Sequence, residues 1–185
     1  MSPDLFGLTG PGAAEMRRRD DTGATFSPCR TYRYDLTRTW DRGRPPMVVI
    51  GLNPSTADET ADDPTIRRCV GFARSWACGG LVMLNLFAVR ATDPRVMLAH
   101  AAPVGPENDA AIRRHTGREG VLVLCAWGAH GTHQGRGAEV LADLLRARRW
   151  PYALGTTAGG QPRHPLYLRA DAQPQPYGWT ETAPP

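Results

Sequence analysis

Three polar side chains that can take part in catalysis lie at or beyond the ends of apolar segments. Asn53 follows residues 47–52, Asn85 ends residues 80–85, and His164 follows the last apolar segment within Pro162-Arg163-His164-Pro165. A rigidly held Asn53 can orient a water molecule or a substrate group, and Asn85 can offer a donor and an acceptor to the edge of a base. His164, facing the same pocket, can donate a hydrogen bond to a developing anion. Ordinary structural roles exist for all three: a turn for Asn53, a cap for Asn85 and an exposed loop for His164.

Metal binding has little support in the sequence. His130 and His133 are three residues apart in a glycine-rich loop, and no third ligand lies near them in the sequence. The four cysteines form no C-x-x-C pair, and their irregular spacing argues against a zinc or an iron–sulfur site. We therefore expect no metal and no cofactor. The cysteines are expected to be free thiols, with Cys69 and Cys125 in apolar segments.

The elements that must position these side chains alternate between strands and helices. Short apolar runs predict buried strands at residues 47–52, 80–85, 121–126 and 152–154, and residues 32–40 indicate an edge strand. Apolar spacing predicts helices over residues 63–76, 94–100, 105–115 and 137–149. This order predicts an α/β fold, a three-layer α/β/α sandwich with a central, mostly parallel four-stranded sheet.

In such a sheet, ligands bind beyond the carboxyl ends of the strands. Asn53, Asn85, His164 and the segment Trp127-Gly128-Ala129-His130 all fall at or soon after predicted strand ends. We therefore expect these residues to meet at one edge of the sheet.

The chain length of 185 residues is typical of one globular domain. We assign this domain to residues 29–169, between a loosely ordered Gly-, Pro- and Arg-rich arm at 1–28 and a loosely ordered tail at 170–185. The longest apolar run, residues 121–127, is far shorter than the roughly 20 residues of a membrane helix. With no secretory signal at the N-terminus, we expect a cytoplasmic, soluble monomer without a membrane partner.

The charge of the chain comes from an unusual set of basic residues. All 22 are arginine, and the formal net charge of +4 permits an anionic partner. Without lysine, neither a Schiff base nor a phosphate-loop lysine is possible.

Four segments resemble motifs of the uracil-DNA glycosylase superfamily, in the same order, over residues 47–168. Gly51-Leu52-Asn53-Pro54 is similar to the first motif, G-Q-D-P-Y or G-I-N-P-G, and Leu81-Val82-Met83-Leu84-Asn85 to the L-L-L-N strand. The strand ending in Trp127-Gly128 resembles the family's W-G strand, and Arg163-His164-Pro165-Leu166 resembles H-P-S-P. The chain also resembles a bacterial group of uncharacterised proteins marked by N-P-S-x-A-D and D-D-P-T-x-R, here residues 53–58 and 62–67.

The resemblance implies a DNA glycosylase that flips a damaged or deaminated base, such as uracil, from DNA and hydrolyses its N-glycosidic bond. Asn53 and His164 would be catalytic, the first positioning water and the second hydrogen-bonding the leaving base. The base would be bound by Gly51, Leu52, Asn85 and Phe87, with Phe72 as the alternative to Phe87 for stacking. Nucleic acid would be bound by Ser55, Thr56, Arg163, Leu166 and Tyr167, with residues 166–168 pressed into the minor groove. The missing lysine fits a monofunctional enzyme.

Several residues depart from the uracil-specific motifs. Asn53 replaces an acid, Ser55 replaces a tyrosine that excludes thymine, and Leu166 replaces a phosphate-binding serine. The acidic residues Asp58, Asp62 and Asp63 add negative charge beside the expected DNA face.

Two other functions remain open on this sequence. The same pocket could process a free nucleotide or nucleoside, with Arg67, Arg68 or Arg163 holding its phosphate. Alternatively, the chain could be a non-catalytic module that binds nucleic acid or a base.

Overall fold

A single mixed β-sheet forms the centre of the protein in its computed structural model, which describes residues 21–180. The sheet has seven strands in the order β1-β2-β4-β3-β5-β6-β7. Their bounds are β1 Asp21–Phe26, β2 Arg33–Thr39, β3 Met47–Gly51, β4 Gly80–Asn85, β5 Leu122–Cys125, β6 Tyr152–Ala153 and β7 Gln175–Pro176.

The four central strands, β4, β3, β5 and β6, are parallel to one another. The residues of β3 and β4 are buried on both faces of the sheet, as continuous apolar runs predict. In β3, for example, Val48 and Ile50 belong to one core cluster, whereas Met47 and Val49 belong to the cluster on the opposite face. The carboxyl ends of these strands therefore share one edge of the sheet.

Within residues 21–180, four α-helices cover the two faces of the sheet. They are α1 Pro64–Ser75, α2 Pro94–Leu98, α3 Asn108–Thr116 and α4 Arg136–Arg146. Helix α1 packs on one face through Ile66, Cys69 and Phe72, and the buried residues of α2, α3 and α4 pack on the other. Asp63 fixes the start of α1, since its carboxylate accepts a hydrogen bond from the backbone N–H of Ile66 and Pro64 is the first helical residue.

The predicted α/β class is confirmed, but the predicted four-stranded, mostly parallel sheet is wrong. Three further strands flank the parallel centre and pair antiparallel, namely β1 and β2 on one side and β7 on the other. Strand β2 was expected at an edge, yet it lies between β1 and β4. The physical reason is that the backbone N–H and C=O groups on the outer side of β2 form hydrogen bonds with β1.

Parts of the predicted arm and tail contain these additional strands. Strand β1 lies within residues 1–28, and β7 lies within residues 170–185. Residues 1–20 and 181–185 of the same two segments lie outside the described part of the chain.

The cysteines occupy different environments. Cys69 and Cys125 are buried in the core, and burial raises the pKa of Cys69 to about 12. Cys29 is exposed, and hydrogen bonds with Ser27 and Thr31 lower its pKa to about 7. Within residues 21–180, no helix has both the length and the apolar character needed to cross a membrane.

Candidate functional site

A cavity of about 560 Å³ opens at the carboxyl edge of the parallel strands. Its walls are formed by residues after β3, the end of β4, the segment after β5, the first turn of α1 and the segment around His164. The volume lies in the range of small-molecule sites in proteins, and the position matches the usual location of ligands in α/β sheets. Among the predicted residues, those that line the cavity are Gly51, Leu52, Asn53, Ser55, Asn85, His164, Leu166 and Tyr167.

The Asn53 side chain is held in one orientation by two backbone carbonyl groups. Its Nδ2 donates to the carbonyl oxygens of Pro54 at 3.0 Å and Ala91 at 2.7 Å. Because carbonyl oxygens only accept hydrogen bonds, the atom facing them must be the amide nitrogen. The Oδ1 atom is therefore the group that Asn53 can offer to a ligand or a water molecule in the cavity.

Asn85 is buried, and its side-chain amide makes no hydrogen bond within the described part of the chain. The residue is 1% exposed, and neither Nδ2 nor Oδ1 has a partner among residues 21–180. Leaving one buried polar group unpaired costs about 1–3 kcal/mol, so an amide with both atoms unpaired needs an explanation. A ligand in the cavity that presents one acceptor and one donor would satisfy both atoms.

Gly51 makes room for the Asn85 amide. A Cβ atom at Gly51 would lie 3.0 Å from Oδ1 of Asn85 and 2.6 Å from Cε of Met83. Any larger residue at this position would therefore push against the side chain that faces the cavity.

His164 presents a neutral imidazole to the cavity. Its Nδ1 accepts a hydrogen bond from the backbone N–H of Leu166 at 3.3 Å, which places the proton of the neutral ring on Nε2. Burial lowers the pKa of His164 below its ordinary value, and the negative charge of Asp63 acts in the opposite direction. The Nε2–H group is thus available as a hydrogen-bond donor.

Phe87 does not lie in the cavity, although it was expected to stack on the base. It is fully buried in the core and packs against His133, with ring centroids 5.5 Å apart. The alternative, Phe72, is buried beneath α1 and stacks on Trp76. The reason is that both side chains point into the apolar layers between helices and sheet.

The expected nucleic-acid-binding residues divide into two groups. Leu166 and Ser55 line the cavity, and Tyr167 stands at its rim with 80% of its surface exposed. Thr56 and Arg163 are exposed outside the cavity lining.

Arg67 and Arg68, considered for phosphate binding, are also outside the lining. Arg67 donates to the backbone carbonyl of Asp62, and Arg68 donates to that of Leu168. Their guanidinium groups thus already have backbone partners.

Two charged residues line the cavity: Arg33, which the sequence did not indicate, and Asp63, which was expected beside the DNA face. Arg33, in β2, is 2% exposed, and Asp63 caps α1 at the same wall. Burial lowers the pKa of Arg33 to about 10, so the guanidinium remains protonated at neutral pH. No sequence signal indicated Arg33, since arginine in an alternating segment is typical of an exposed strand face.

The acidic loop between β3 and α1 is partly neutralised by arginine side chains, which pair with two of its four carboxylates. Glu59 forms an ion pair with Arg30, with two N···O distances of 2.9 and 3.2 Å. Asp62 pairs with the buried Arg38, which also donates to the backbone carbonyl of Asp58 at 2.8 Å. The negative charge expected beside the site is therefore compensated in part, by arginines of β2 and of the segment that precedes it.

The described residues contain no cluster of three or more His, Cys, Asp or Glu side chains that could hold a metal ion. His130 lines the cavity, whereas His133 packs against Phe87 outside it. The two histidines thus do not face one shared site.

Comparison with curated proteins found no match, and comparison with solved structures found none either. Against protein-family models, residues 33–166 match one described as a protein of unknown function, DUF1643. The matched segment extends from the buried arginine of β2 to the cavity residue Leu166, and so includes every residue that lines the cavity except Tyr167. On this match, the chain belongs to the DUF1643 family.

Proposed function

We propose that the protein hydrolyses the N-glycosidic bond of a damaged or deaminated nucleotide, in the manner of the uracil-DNA glycosylase superfamily that its motifs resemble. The observation that carries this proposal is the buried Asn85 amide, which lines the cavity and whose two polar atoms have no partner among residues 21–180. The edge of uracil or a related base carries adjacent donor and acceptor groups, which an asparagine amide can pair with simultaneously.

Bond cleavage needs a group that stabilises the departing base. The C1′–N bond breaks with its electron pair going to the base, which leaves as an anion from an oxocarbenium-like sugar. The Nε2–H of His164 can donate a hydrogen bond to an oxygen of that anion, because Nδ1 is held by the backbone of Leu166.

A water molecule then completes the reaction at the sugar. Its oxygen bonds to C1′ while Oδ1 of Asn53 accepts a hydrogen bond from it. Asn53 cannot take the proton, but the carboxylate of Asp63 lines the same cavity. Asp63 therefore supplies negative charge opposite the positive sugar and a place for the proton of the attacking water.

A free nucleotide is the second candidate substrate, favoured by the ion pairs near the cavity. Arg30 and Arg38 form ion pairs with carboxylates of the acidic loop. These side chains do not form a row of free cations for a duplex. This arrangement supports a single-stranded segment or a free nucleotide over double-stranded DNA.

The proposal is tested by base release from oligonucleotides that carry uracil, hypoxanthine, xanthine or mismatched thymine, single- and double-stranded, alongside the matching free nucleotides. Removing a preorganised hydrogen-bonding group from an active site typically lowers kcat by about 100- to 1000-fold, which is the loss expected for Asn85→Ala and His164→Ala. Gln173→Ala removes an exposed amide outside the cavity and serves as the matched control.

Three outcomes are distinguishable. Base release that is lost in Asn85→Ala and kept in Gln173→Ala supports the proposed reaction and names the base. Wild-type rates in Asn85→Ala would refute the role of its amide. Binding of a substrate without release by the wild-type protein would refute hydrolysis and favour the non-catalytic binding module.

A further inference from the structure

Arg33 is a buried cation at the cavity wall, and it has no ionic partner among the described residues. Only 2% of its surface is exposed, and no carboxylate oxygen of residues 21–180 lies within ion-pair distance of its guanidinium. Removing a charge from water is costly unless it is paired, so most buried arginines have a carboxylate or another anion beside them. The missing partner therefore requires an explanation.

One of the donors of Arg33 has a structural role. Nη1 donates to the backbone carbonyl of Ala57 at 2.7 Å and so helps to hold the loop after β3. Nε has no partner among the described residues, and Nη2 makes no hydrogen bond to them either. The loop contact thus accounts for one side of the guanidinium and leaves the Nε–Nη2 edge unused.

The unused edge has the geometry that binds oxyanions. Two parallel N–H groups on one side of a guanidinium match two oxygens of a phosphate or carboxylate, and such charge-assisted pairs are among the strongest hydrogen bonds in proteins. Asp63, the carboxylate whose charge acts most strongly on the pKa of Arg33, already accepts the N–H of Ile66 as the cap of α1. Asp63 therefore tempers the positive charge without occupying the donor edge.

We propose that the cavity contains a phosphate-binding subsite in which the Nε–Nη2 edge of Arg33 binds two phosphate oxygens of a nucleotide. This inference rests on the proposed function, because the same cavity offers the Asn85 amide to a base. It identifies the substrate as a phosphorylated nucleotide unit rather than a nucleoside. The phosphate belongs either to a free nucleotide or to the end of a strand.

The test measures binding and does not depend on hydrolysis. Inorganic phosphate, deoxyuridine and deoxyuridine 5′-monophosphate are titrated into the full-length protein by calorimetry, with ³¹P line broadening as a second readout. Hydrogen bonds to a charged group are worth about 1.5–3 kcal/mol, so the monophosphate should bind roughly 10- to 100-fold more tightly than the nucleoside. Arg33→Gln should remove this preference, and Arg33→Lys, which keeps the charge but loses the fork, should restore only part of it.

Arg42→Gln is the matched control, since it removes the same charge from an exposed arginine paired with Asp21 outside the cavity. It should bind the monophosphate as the wild-type protein does. Equal affinity of the wild-type protein for nucleoside and monophosphate would overturn the proposal, and so would an unchanged preference in Arg33→Gln. The wild-type comparison remains decisive if Arg33→Gln fails to fold.

Two further experiments identify the source of the phosphate and distinguish phosphate binding from base release. A single-stranded oligonucleotide with a 5′-phosphate that binds like the monophosphate, and better than its unphosphorylated form, assigns the subsite to strand ends. Preference for the free monophosphate over both oligonucleotides assigns it to free nucleotides. Phosphate binding without base release would support the phosphate-binding subsite and refute the proposed hydrolysis.

Discussion

Asp63 combines a structural role with a position at the cavity. Its carboxylate caps α1, and it is the acidic side chain that lines the described cavity. Asparagine caps helices about as well as aspartate, so Asp63→Asn removes the charge while keeping the cap. We expect this variant to unfold at the wild-type denaturant concentration but to lose roughly 10- to 100-fold in base release, within the usual range for an acid–base group.

Urea denaturation and single-turnover base release measure the two effects separately. If Asp63→Asn lowered the stability, and base release fell only in proportion to the fraction of unfolded protein, Asp63 would act only as a helix cap. Full activity in a stable Asp63→Asn protein would remove this carboxylate from the mechanism.

Gly51 provides a second test at single-residue resolution. A methyl group in Gly51→Ala would contact the flexible end of Met83 and the Asn85 amide. Because the end of Met83 can move, the expected loss of stability is modest, about 1–3 kcal/mol for added volume in a packed site. Displacement of Asn85 should lower nucleotide affinity about tenfold or more. An unaffected affinity by calorimetry would show that Asn85 does not bind the ligand.

The sequence predicted part of the candidate site, and the reason is positional. Asn53 and Asn85 end or follow apolar strands, and the edge of a parallel sheet is where such residues meet. Arg33 was missed because its contribution depends on how far the neighbouring loop folds over β2, a long-range contact that periodicity does not report. Phe87 was misplaced because a run of buried residues does not reveal which of them faces the cavity.

Strand β2 and helix α3 are joined by a buried ionic contact. Asp35 accepts hydrogen bonds from His115 at 3.0 Å and from Arg114 at 2.9 Å. Burial alone raises the pKa of Asp35, but the hydrogen bond and charge of His115, together with Thr25 and Arg114, outweigh it and leave the pKa below its ordinary value. This contact is therefore strongest when Asp35 is ionised.

The lowered pKa of Asp35 gives a pH dependence with a definite sign. Its stabilising effect is complete above the unfolded-state pKa, near 3.8, and is lost as the pH falls through the lower folded-state value. Asp35→Ala should therefore cost about 3 kcal/mol at pH 7, as expected when one partner of a buried pair is removed. The difference from wild type should shrink below pH 3.8, as measured by urea denaturation. Asp171→Asn, in an exposed pair with Arg169, should show no measurable change at either pH.

An equal cost of Asp35→Ala at both pH values would contradict the ionic explanation. It would assign the effect to packing against α3 instead.

The elements of the fold were predictable to different extents. The four parallel strands and four helices followed from apolar runs and apolar spacing, because each of them buries its own side chains. Strands β1 and β7 carry mostly exposed or half-buried residues and exist through pairing with β2 and β6. A strand that depends on a partner's backbone has little signature in its own sequence.

At the scale of the whole molecule, much of the arginine charge is used internally. Within residues 21–180, carboxylates pair with arginines on the loops, on β2 and on α2, α3 and α4, so these side chains do not add unpaired positive charge to the described surface. The paired arginines are Arg30, Arg38, Arg42, Arg44, Arg95, Arg114, Arg136, Arg146 and Arg169. This distribution limits the number of phosphates that the described surface can neutralise together.

Salt dependence therefore distinguishes a nucleotide site from an extended DNA-binding surface. Each phosphate neutralised on single-stranded nucleic acid contributes about −0.7 to the slope of log K against log salt concentration, and each on a duplex about −0.9. With Arg33 as the buried phosphate contact, we expect a slope no steeper than about −2 for a labelled uracil-containing strand, measured by fluorescence anisotropy. Arg33→Gln should make the slope shallower by about 0.7, the contribution of one phosphate on a single strand. The exposed control Arg42→Gln should leave the slope unchanged. A slope of about −4 or steeper for the duplex would instead require a row of phosphate contacts, and would assign the exposed arginines to DNA.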